Sequence, residues 1–503
     1  MELKGLLVCV LSLISIQSCA QNNGFEGGLT GWTVKGNVGI NRTNTHSGAA
    51  CVYLSGGNSS VFKWIDGLPL AIVSYNSFVK TSDTLTKAYT FIRFLDAQNK
   101  ELLTYKSSAI RSTDYKESGN YTETPVGTRY IEIGVESDAA NKGDVFADDF
   151  KIENNLGEPK VKHDPQVNLD QYMHPFWKSD TIYNETVLLY SVNGAAANGK
   201  LLYTPDKILS VQKFDLSATF KDGTDYTLNG NVITRTANSA MPFWADTSFD
   251  KKDLGWYNIQ SQWVVITYTH HDNWDGLAPV YKGDNMPHVM AKLKAGSPLK
   301  IAAYGMSITR GLDVSSYDDV PPYMPTYVSL FARQLGKAYR NKNVKLYNAG
   351  LPGSVVDWGA QYADKYIVPL KADLVILDFG MNDFWRMPPE EFKGHIVTII
   401  QKLQKANPKV EIMLLSNLKF DPDYVLDSDK NKAFYQGNMI GYSKVLKDLE
   451  APGIINLDMT TISDAIYARK KAKDCIANPL HPNDYLARWY AQGMSQLLIQ
   501  NYK

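Results

Sequence analysis

Cysteine, histidine and charge of one sign are what this chain has little of. Its 503 residues include 4 cysteines and 8 histidines. Cys9 and Cys19 fall in the N-terminal apolar stretch, which leaves Cys51 and Cys475 in segments of different character, so no disulfide framework is expected. No Cys/His cluster has zinc spacing, and neither a metal nor a cofactor is expected. Acidic and basic residues balance at 52 each, so nothing points to nucleic acid as a partner or to an electrostatically held membrane surface. Beyond the N-terminus no apolar run is long enough to span a bilayer. The length itself exceeds what one hydrophobic core supports, so several domains are expected.

What is present starts with MELKGLLVCVLSLISIQSCAQ, one lysine and then an apolar run ending in small and polar residues. This reads as a secretory signal over residues 1–18. Its end, Ile16-Gln17-Ser18-Cys19, resembles a bacterial lipobox, although Gln17 is not the usual small residue. The expectation is an exported protein of the bacterial cell envelope, lipid-anchored through Cys19 to the outer membrane and facing the periplasm or the surface.

Residues 24–155 are dense in Gly, Ser, Thr and Asn turns between short alternating runs such as AYTFIRFLDA and TRYIEIGVES. Such spacing predicts an all-β sandwich. The opening GFEGGLTGWTV and closing DVFADDFKIE resemble the first and last strands of carbohydrate-binding jelly rolls. Trp32, Trp64 and Tyr53 are candidates for stacking on a glycan, with Trp32 better placed as core. A polar linker follows at 156–169. Residues 160–295 then form a second β-rich region, with turn signals at Lys221-Asp222-Gly223 and Asn229-Gly230. It closes on YTHHDNWDG, where His270 and His271 are adjacent. Neighbours on a strand face opposite ways and cannot easily grip one ion, so His270 is expected on a loop overhanging a site.

From Leu299 the pattern changes to alternating strand and helix. Strand-like runs at 299–304, 344–349, 374–379, 410–415 and 454–457 alternate with amphipathic stretches such as PPEEFKGHIVTIIQKLQKAN, in which Phe392, Val397, Ile400 and Leu403 recur at near-helical spacing. Alternation of this kind predicts a parallel sheet flanked by helices.

Four blocks place polar residues at the ends of these elements. LKIAAYGMSITRG stops at Gly305 and releases Ser307 into a turn. VKLYNAGLPG ends in Gly353, DLVILDFGMND ends in Gly380, Asn382 and Asp383, and NPLHP supplies His481. Ligands of open parallel sheets bind beyond the strand C-termini. Acyl transfer needs an activated hydroxyl, a base that returns the proton to the leaving group, and donors aimed at the oxyanion. Ser307 is the nucleophile candidate and His481 the base candidate, since an imidazole can move a proton in both directions near neutrality.

The set Gly305/Ser307, Gly353, Gly380/Asn382 and His481 resembles, in order and context, the four blocks of the SGNH hydrolases, the GDSL esterase/lipase superfamily. The resemblance covers residues 298–503. It implies an α/β SGNH-hydrolase domain with a parallel sheet flanked by helices, so that with the β-rich regions ahead of it the chain is expected to be multidomain: two N-terminal all-β domains of sandwich or jelly-roll type, then the hydrolase domain. It also implies an oxyanion hole made of the backbone N–H groups of Ser307 and Gly353 and the side chain of Asn382.

Two positions depart from the family pattern. Met306 stands where the first block normally has Asp, and Asn478 stands where an Asp normally lies three residues before the histidine. An Asn can accept the imidazole N–H but carries no charge to stabilise the imidazolium. Either Ser307 and His481 work as a dyad or another group orients His481, with Asp474 and Asp484 as candidates by proximity in sequence.

The superfamily spans many esters, so context selects the substrate. A surface lipoprotein with a sugar-binding-like sandwich implies a carbohydrate O-acetylesterase acting on an acetylated polysaccharide or glycan. Arg310, Trp358 and Trp385 follow the blocks closely and are expected to line a polar, sugar-stacking mouth. The alternatives are a general short-chain esterase or lipase, and a non-catalytic glycan-binding surface lipoprotein.

Overall fold

The computed structural model describes residues 24–66, 72–123, 125, 128–154, 163–245, 259–421 and 429–503. The expected signal, Cys19 and the first part of the linker lie outside these residues. The chain divides into two compact units, Met1–Asn155 and Leu156–Lys503. Cys51 lies in the first and Cys475 in the second, both buried and both free.

The first unit is built of β1 (Thr33–Asn41), β2 (Cys51–Asp66), β3 (Ile72–Thr81), β4 (Ala88–Leu95), β5 (Glu101–Lys106), β6 (Lys116–Glu123), β7 (Tyr130–Ser137) and β8 (Asp144–Asn154). These strands pair in the order β5-β4-β7-β2-β8-β3-β6, with β1 on β2, and every pairing is antiparallel. One edge of the long β2 pairs with β7 through Ser60–Asp66 and with β8 through Val52–Ser55, and so joins the two halves of the sheet. Trp32 is core, its ring 4.7 Å from those of both Phe25 and Phe150. Trp64 is 43% exposed, with Tyr130 edge-on beside it.

The second unit opens with a single turn, α1 (Leu169–Tyr172), capped by Asn168. The strands β9 (Thr181–Leu188), β10 (Tyr190–Ser191), β11 (Asn198–Lys200), β12 (Pro205–Lys213), β13 (Tyr226–Asn229), β14 (Val232–Arg235), β15 (Trp244–Ala245) and β16 (Trp263–His270) follow. They make a three-stranded sheet, β12-β16-β9, and a five-stranded one, β13-β14-β11-β10-β15. The Asn229-Gly230 signal is the β13–β14 hairpin, where Gly230 has φ +57°.

After α2 (Pro287–Lys294) comes the alternating part: β17 (Leu299–Gly305), α3 (Ser307–Arg310), α4 (Tyr327–Ala338), β18 (Val344–Gly350), α5 (Val356–Tyr366), β19 (Leu374–Asp378), α6 (Pro389–Ala406), β20 (Glu411–Ser416), α7 (Asp429–Lys447), β21 (Ile454–Asp458), α8 (Met459–Tyr467) and α9 (Asp484–Leu498). The sheet is parallel throughout, in the order β18-β17-β19-β20-β21. Its strands are nearly continuous apolar runs because helices cover both faces. In α6 the buried stripe is Phe392, Ile396, Ile399, Ile400 and Leu403, so Ile396 takes the inward place expected of Val397. The chain leaves β17 for β18 on one side and then crosses to β19 on the other. In open α/β sheets ligands bind at such a switch, here beyond the C-terminal ends of β17 and β19. Among the described residues no helix is long and apolar enough to cross a membrane.

The boundary expected between 160–295 and 298–503 runs through the interior of the second unit. Lys470 reaches back to Glu185 in β9, and both side chains are fully buried. Arg488 in α9 donates to the carbonyls of Tyr183 and Asn184 at 2.7 Å each. Trp263 Nε1 in β16 donates to Lys473 O at 2.9 Å. Buried charge needs partners, and here the partners lie across the expected boundary.

Candidate active site

β17 ends at Gly305 because nothing larger fits: a Cβ there would lie 2.1 Å from Thr309 Oγ1 and 2.2 Å from Asp378 O. Met306 then caps α3, its N–H donating to Thr309 Oγ1 at 3.0 Å, and Ser307 is the first helical residue. The single turn closes at Gly311, whose φ of +93° suits glycine and where a Cβ would meet Thr326 Cγ2 at 2.3 Å. Asn348 in β18 braces the turn from the side, donating from Nδ2 to Thr309 O at 2.7 Å. Ser307 is thus held just beyond the C-terminal end of β17, 6% exposed.

His481 arrives from the segment before α9. An Asx turn shapes it: Asn478 Oδ1 accepts from the N–H groups of Leu480 at 2.9 Å and His481 at 3.0 Å. His481 Nε2 lies 2.8 Å from Ser307 Oγ, within reach for proton transfer.

On the other side of the ring His481 Nδ1 pairs with the carboxylate of Asp313. This is the residue that sequence reasoning missed. The amide oxygen of Asn478 is occupied by backbone, so it does not receive the imidazole. Its Nδ2 donates instead to Asp313 Oδ2 at 2.6 Å. Two backbone donors on Oδ1 and a carboxylate on the nitrogen fix which way this amide points. Neither Asp474 nor Asp484 orients His481. Asp474 Oδ1 accepts from Leu188 N–H, and Asp484 takes Ser315 through its N–H and hydroxyl at 2.8 and 2.6 Å.

The three donors expected at the oxyanion follow the C-terminal ends of the adjacent strands β17, β18 and β19. The backbone N–H groups of Ser307 and Gly353 make no hydrogen bond within the protein among the described residues. Gly353 has φ +77°. Asn382 Nδ2 donates to Ser354 O at 2.9 Å and lies 3.8 Å from Met306 Sδ. Ser354 Oγ in turn donates to Gly305 O at 2.8 Å, tying the second block to the first.

Behind the nucleophile turn sits Asp378, wholly buried, accepting from Thr309 Oγ1 at 2.8 Å, Tyr327 Oη at 2.7 Å and Asn417 Nδ2 at 2.6 Å. Burial pushes its pKa up to about 6 against these three stabilising donors. Asp383 is likewise pushed to about 6 by burial, while its Oδ1 accepts the first N–H of α5, from Val356, at 2.9 Å.

Of the residues expected to meet substrate, the structure separates three. Trp385 is 54% exposed on the loop that carries Asn382. Arg310 is 4% exposed and turned inward, its NH1 3.5 Å from Asn348 O, because the inner face of a one-turn helix packs on β18. His270 is 3% exposed and stacked 3.9 Å from the Tyr203 ring. It ends β16, whose other end at Trp263 is the one near the His481 segment, about 23 Å away at the usual strand rise. His270 is therefore a buried strand-end residue and not part of an overhanging loop, and His271 after it is exposed. Trp358 packs among Tyr304, Tyr362 and Tyr366 on the α5 side of the sheet. Among the described residues no group of three or more His, Cys, Asp or Glu is placed to hold a metal ion.

Residues 303–488 match the model of the GDSL-like Lipase/Acylhydrolase family. No functionally curated protein matches the chain. Among solved structures, the chain is similar to a two-domain esterase active on acetylated mannans, co-crystallized with mannopentaose (22% identity, 45% of this chain and 58% of that one, TM-score 0.35). It is also similar to a mutant of an acetyl-xylooligosaccharide esterase from Geobacillus Stearmophilus (18%, 40% and 96%, TM-score 0.32) and to a family 16 carbohydrate binding module (21%, 26% and 96%, TM-score 0.23). The chain thus spans 58% of the length of the mannan-active esterase.

Proposed function

From the GDSL-like lipase/acylhydrolase domain that residues 303–488 of this chain form, we propose that the protein is a carbohydrate O-acetylesterase acting by a serine acyl-enzyme mechanism. The observation that carries the reading is the line Ser307 Oγ, His481, Asp313, with 2.8 Å between the hydroxyl and Nε2 and a carboxylate on Nδ1. Ser307 Oγ attacks the ester carbonyl while His481 Nε2 takes its proton. The N–H groups of Ser307 and Gly353 and the Asn382 amide receive the oxyanion. Collapse breaks the bond to the sugar oxygen, which leaves with the proton from His481, and the acetyl group stays on Ser307. Water, deprotonated by the same nitrogen, then releases acetate. Asp313 holds the tautomer with Nδ1 protonated and stabilises the imidazolium that forms twice per cycle.

The glycan half of the reading is supported by the exposed aromatic surface. Trp385 is exposed three residues after Asn382, and in the N-terminal β unit Trp64 with Tyr130 offers a stacking surface of the sort a jelly-roll glycan module presents. The leader reading adds export and an anchor through Cys19, which would present the enzyme to polymers at the envelope. The test is acetate release from acetylated xylan, mannan and pectin, with a small chromogenic acetate as control, by wild type and Ser307→Ala. Release that disappears in the variant sustains the proposal. Cleavage of the small acetate alone returns the protein to a general short-chain esterase. Silence on every substrate leaves a glycan-binding protein.

A further inference from the structure

We propose that Gln260, contributed by the β-rich segment ahead of the hydrolase sheet, is a positioning residue that holds Asp313 against His481. The inference rests on the esterase reading above. Asp313 has φ +65°, a left-handed conformation that non-glycine residues seldom adopt unless their surroundings impose it. Beside the bonds of Leu312 and Val314 within the loop, a contact on the Asp313 carbonyl comes from outside residues 303–488. Gln260 Nε2 donates to the Asp313 carbonyl at 3.0 Å and to Asp318 Oδ2 at 2.6 Å. One amide nitrogen thus has both protons directed to two points of one loop. Two acceptors facing the same atom also determine which end of the side chain is the NH2.

The neighbouring residue reaches the other half of the pair. Ile259 N–H donates to Ala477 O at 3.3 Å, next to the Asx turn that presents His481. Ile259, Trp263, Val265, Leu188, Phe214 and Ala477 form one buried apolar cluster, and Val320, from the loop of Asp313, packs against it. The triad loops therefore share a floor made by β9 and β16. Asp484 secures the same loop at Ser315, two residues past Asp313, whereas Gln260 bonds the Asp313 carbonyl itself. Small displacements of a group that orients the base cost much in rate: a misplacement of about 1 Å is worth on the order of a hundredfold.

The experiment is a double-mutant cycle on the full chain with p-nitrophenyl acetate: wild type, Gln260→Met, Asp313→Asn and the double variant, with Ser307→Ala as reference. Gln260→Met keeps length and volume and removes both donors. A kcat lower by roughly 10- to 100-fold with KM within about threefold is expected. In the Asp313→Asn background the same change should cost less than about twofold, because the residue acts through Asp313. A kcat unchanged by Gln260→Met, or one lowered by the same factor in both backgrounds, overturns the proposal. Should Gln260→Met fail to fold, Gln260→Glu, nearly identical in shape but an acceptor at the same point, carries the cycle under the same criteria. If Ser307→Ala keeps activity, the esterase reading falls and this inference with it. If Ser307→Ala and Asp313→Asn lose activity while the Gln260 variants do not, only the positioning role is lost.

Discussion

The carboxylate on His481 Nδ1 belongs to Asp313, 168 residues upstream and just past the helix that begins with Ser307. The residue three before the histidine, Asn478, stands between them as a donor to Asp313 Oδ2 at 2.6 Å. The carboxylate on the ring thus comes from the loop that follows Ser307 and not from the segment that carries His481.

A carboxylate swap follows from that geometry. Asp313→Asn should lower kcat on the order of 10³- to 10⁴-fold, the size of effect seen when a serine hydrolase triad loses its acid. Asn478→Asp alone should also be slower than wild type, because it deletes the donor to Asp313 and sets a second negative charge beside it. Combining Asp313→Asn with Asn478→Asp returns one carboxylate to Nδ1 from the other side, and should recover at least about tenfold over Asp313→Asn. Steady-state kcat on a chromogenic acetate decides it; a double variant no faster than Asp313→Asn refutes the assignment.

Asn382→Ala tests the oxyanion donor. Removing one such donor typically costs on the order of 10²- to 10³-fold in kcat. KM should stay within a few-fold, since the donor is aimed at charge that exists only in the transition state. Asn382 also bonds Ser354 O, so melting curves should accompany the kinetics. An unchanged kcat in a folded variant excludes the role.

Asp378 makes stability depend on pH. Its folded pKa, about 6, lies above its ordinary value of 3.8. Between these values the folded state binds the proton that the unfolded state has lost, so raising the pH favours unfolding. The contribution is fully present below about pH 3.8, is lost by about pH 6, and is on the order of 3 kcal/mol. Asp378→Asn cannot titrate. Thermal melts from pH 4.5 to pH 8 should therefore show the wild type losing ground to this variant as pH rises, and a pH-independent gap between the two would contradict the burial argument.

Glu185→Ala addresses the join between the β-rich segment and the hydrolase sheet. Glu185 accepts from Leu202 N–H at 2.8 Å and Tyr268 Oη at 2.5 Å and pairs with fully buried Lys470. Breaking a buried pair from one side leaves the other charge uncompensated, typically a loss of about 3–5 kcal/mol. Chemical denaturation measures it. A loss below about 1 kcal/mol would mean that Lys470 finds water or another partner.

How legible this was depends on distance along the chain. The parallel strands between Leu299 and Asp458 were legible because apolar runs and glycine stops are local, and the structure keeps them within a residue or so of where the pattern ends. Ser307, Gly353, Asn382 and His481 could be picked out as candidates because each sits at the end of such an element. Asp313 could not, since Asp-Val-Ser-Ser after a helix reads as an ordinary turn. Arg310 and His270 were misjudged for a related reason: a charge or an imidazole next to a motif says nothing about which way its element turns, and packing on β18 and Tyr203 turned both inward.

By itself, then, the sequence determined the succession of β and α/β parts and the nucleophile, base and oxyanion candidates, all properties of short windows with their own periodicity and turn chemistry. Only the tertiary structure decided which carboxylate orients His481, that Gln260 reaches the loop carrying it, and that the β-rich segment and the hydrolase sheet share one interior. Those are contacts between residues tens to hundreds of positions apart, selected by the need to satisfy buried polar groups and fill a common core, and no local pattern records them.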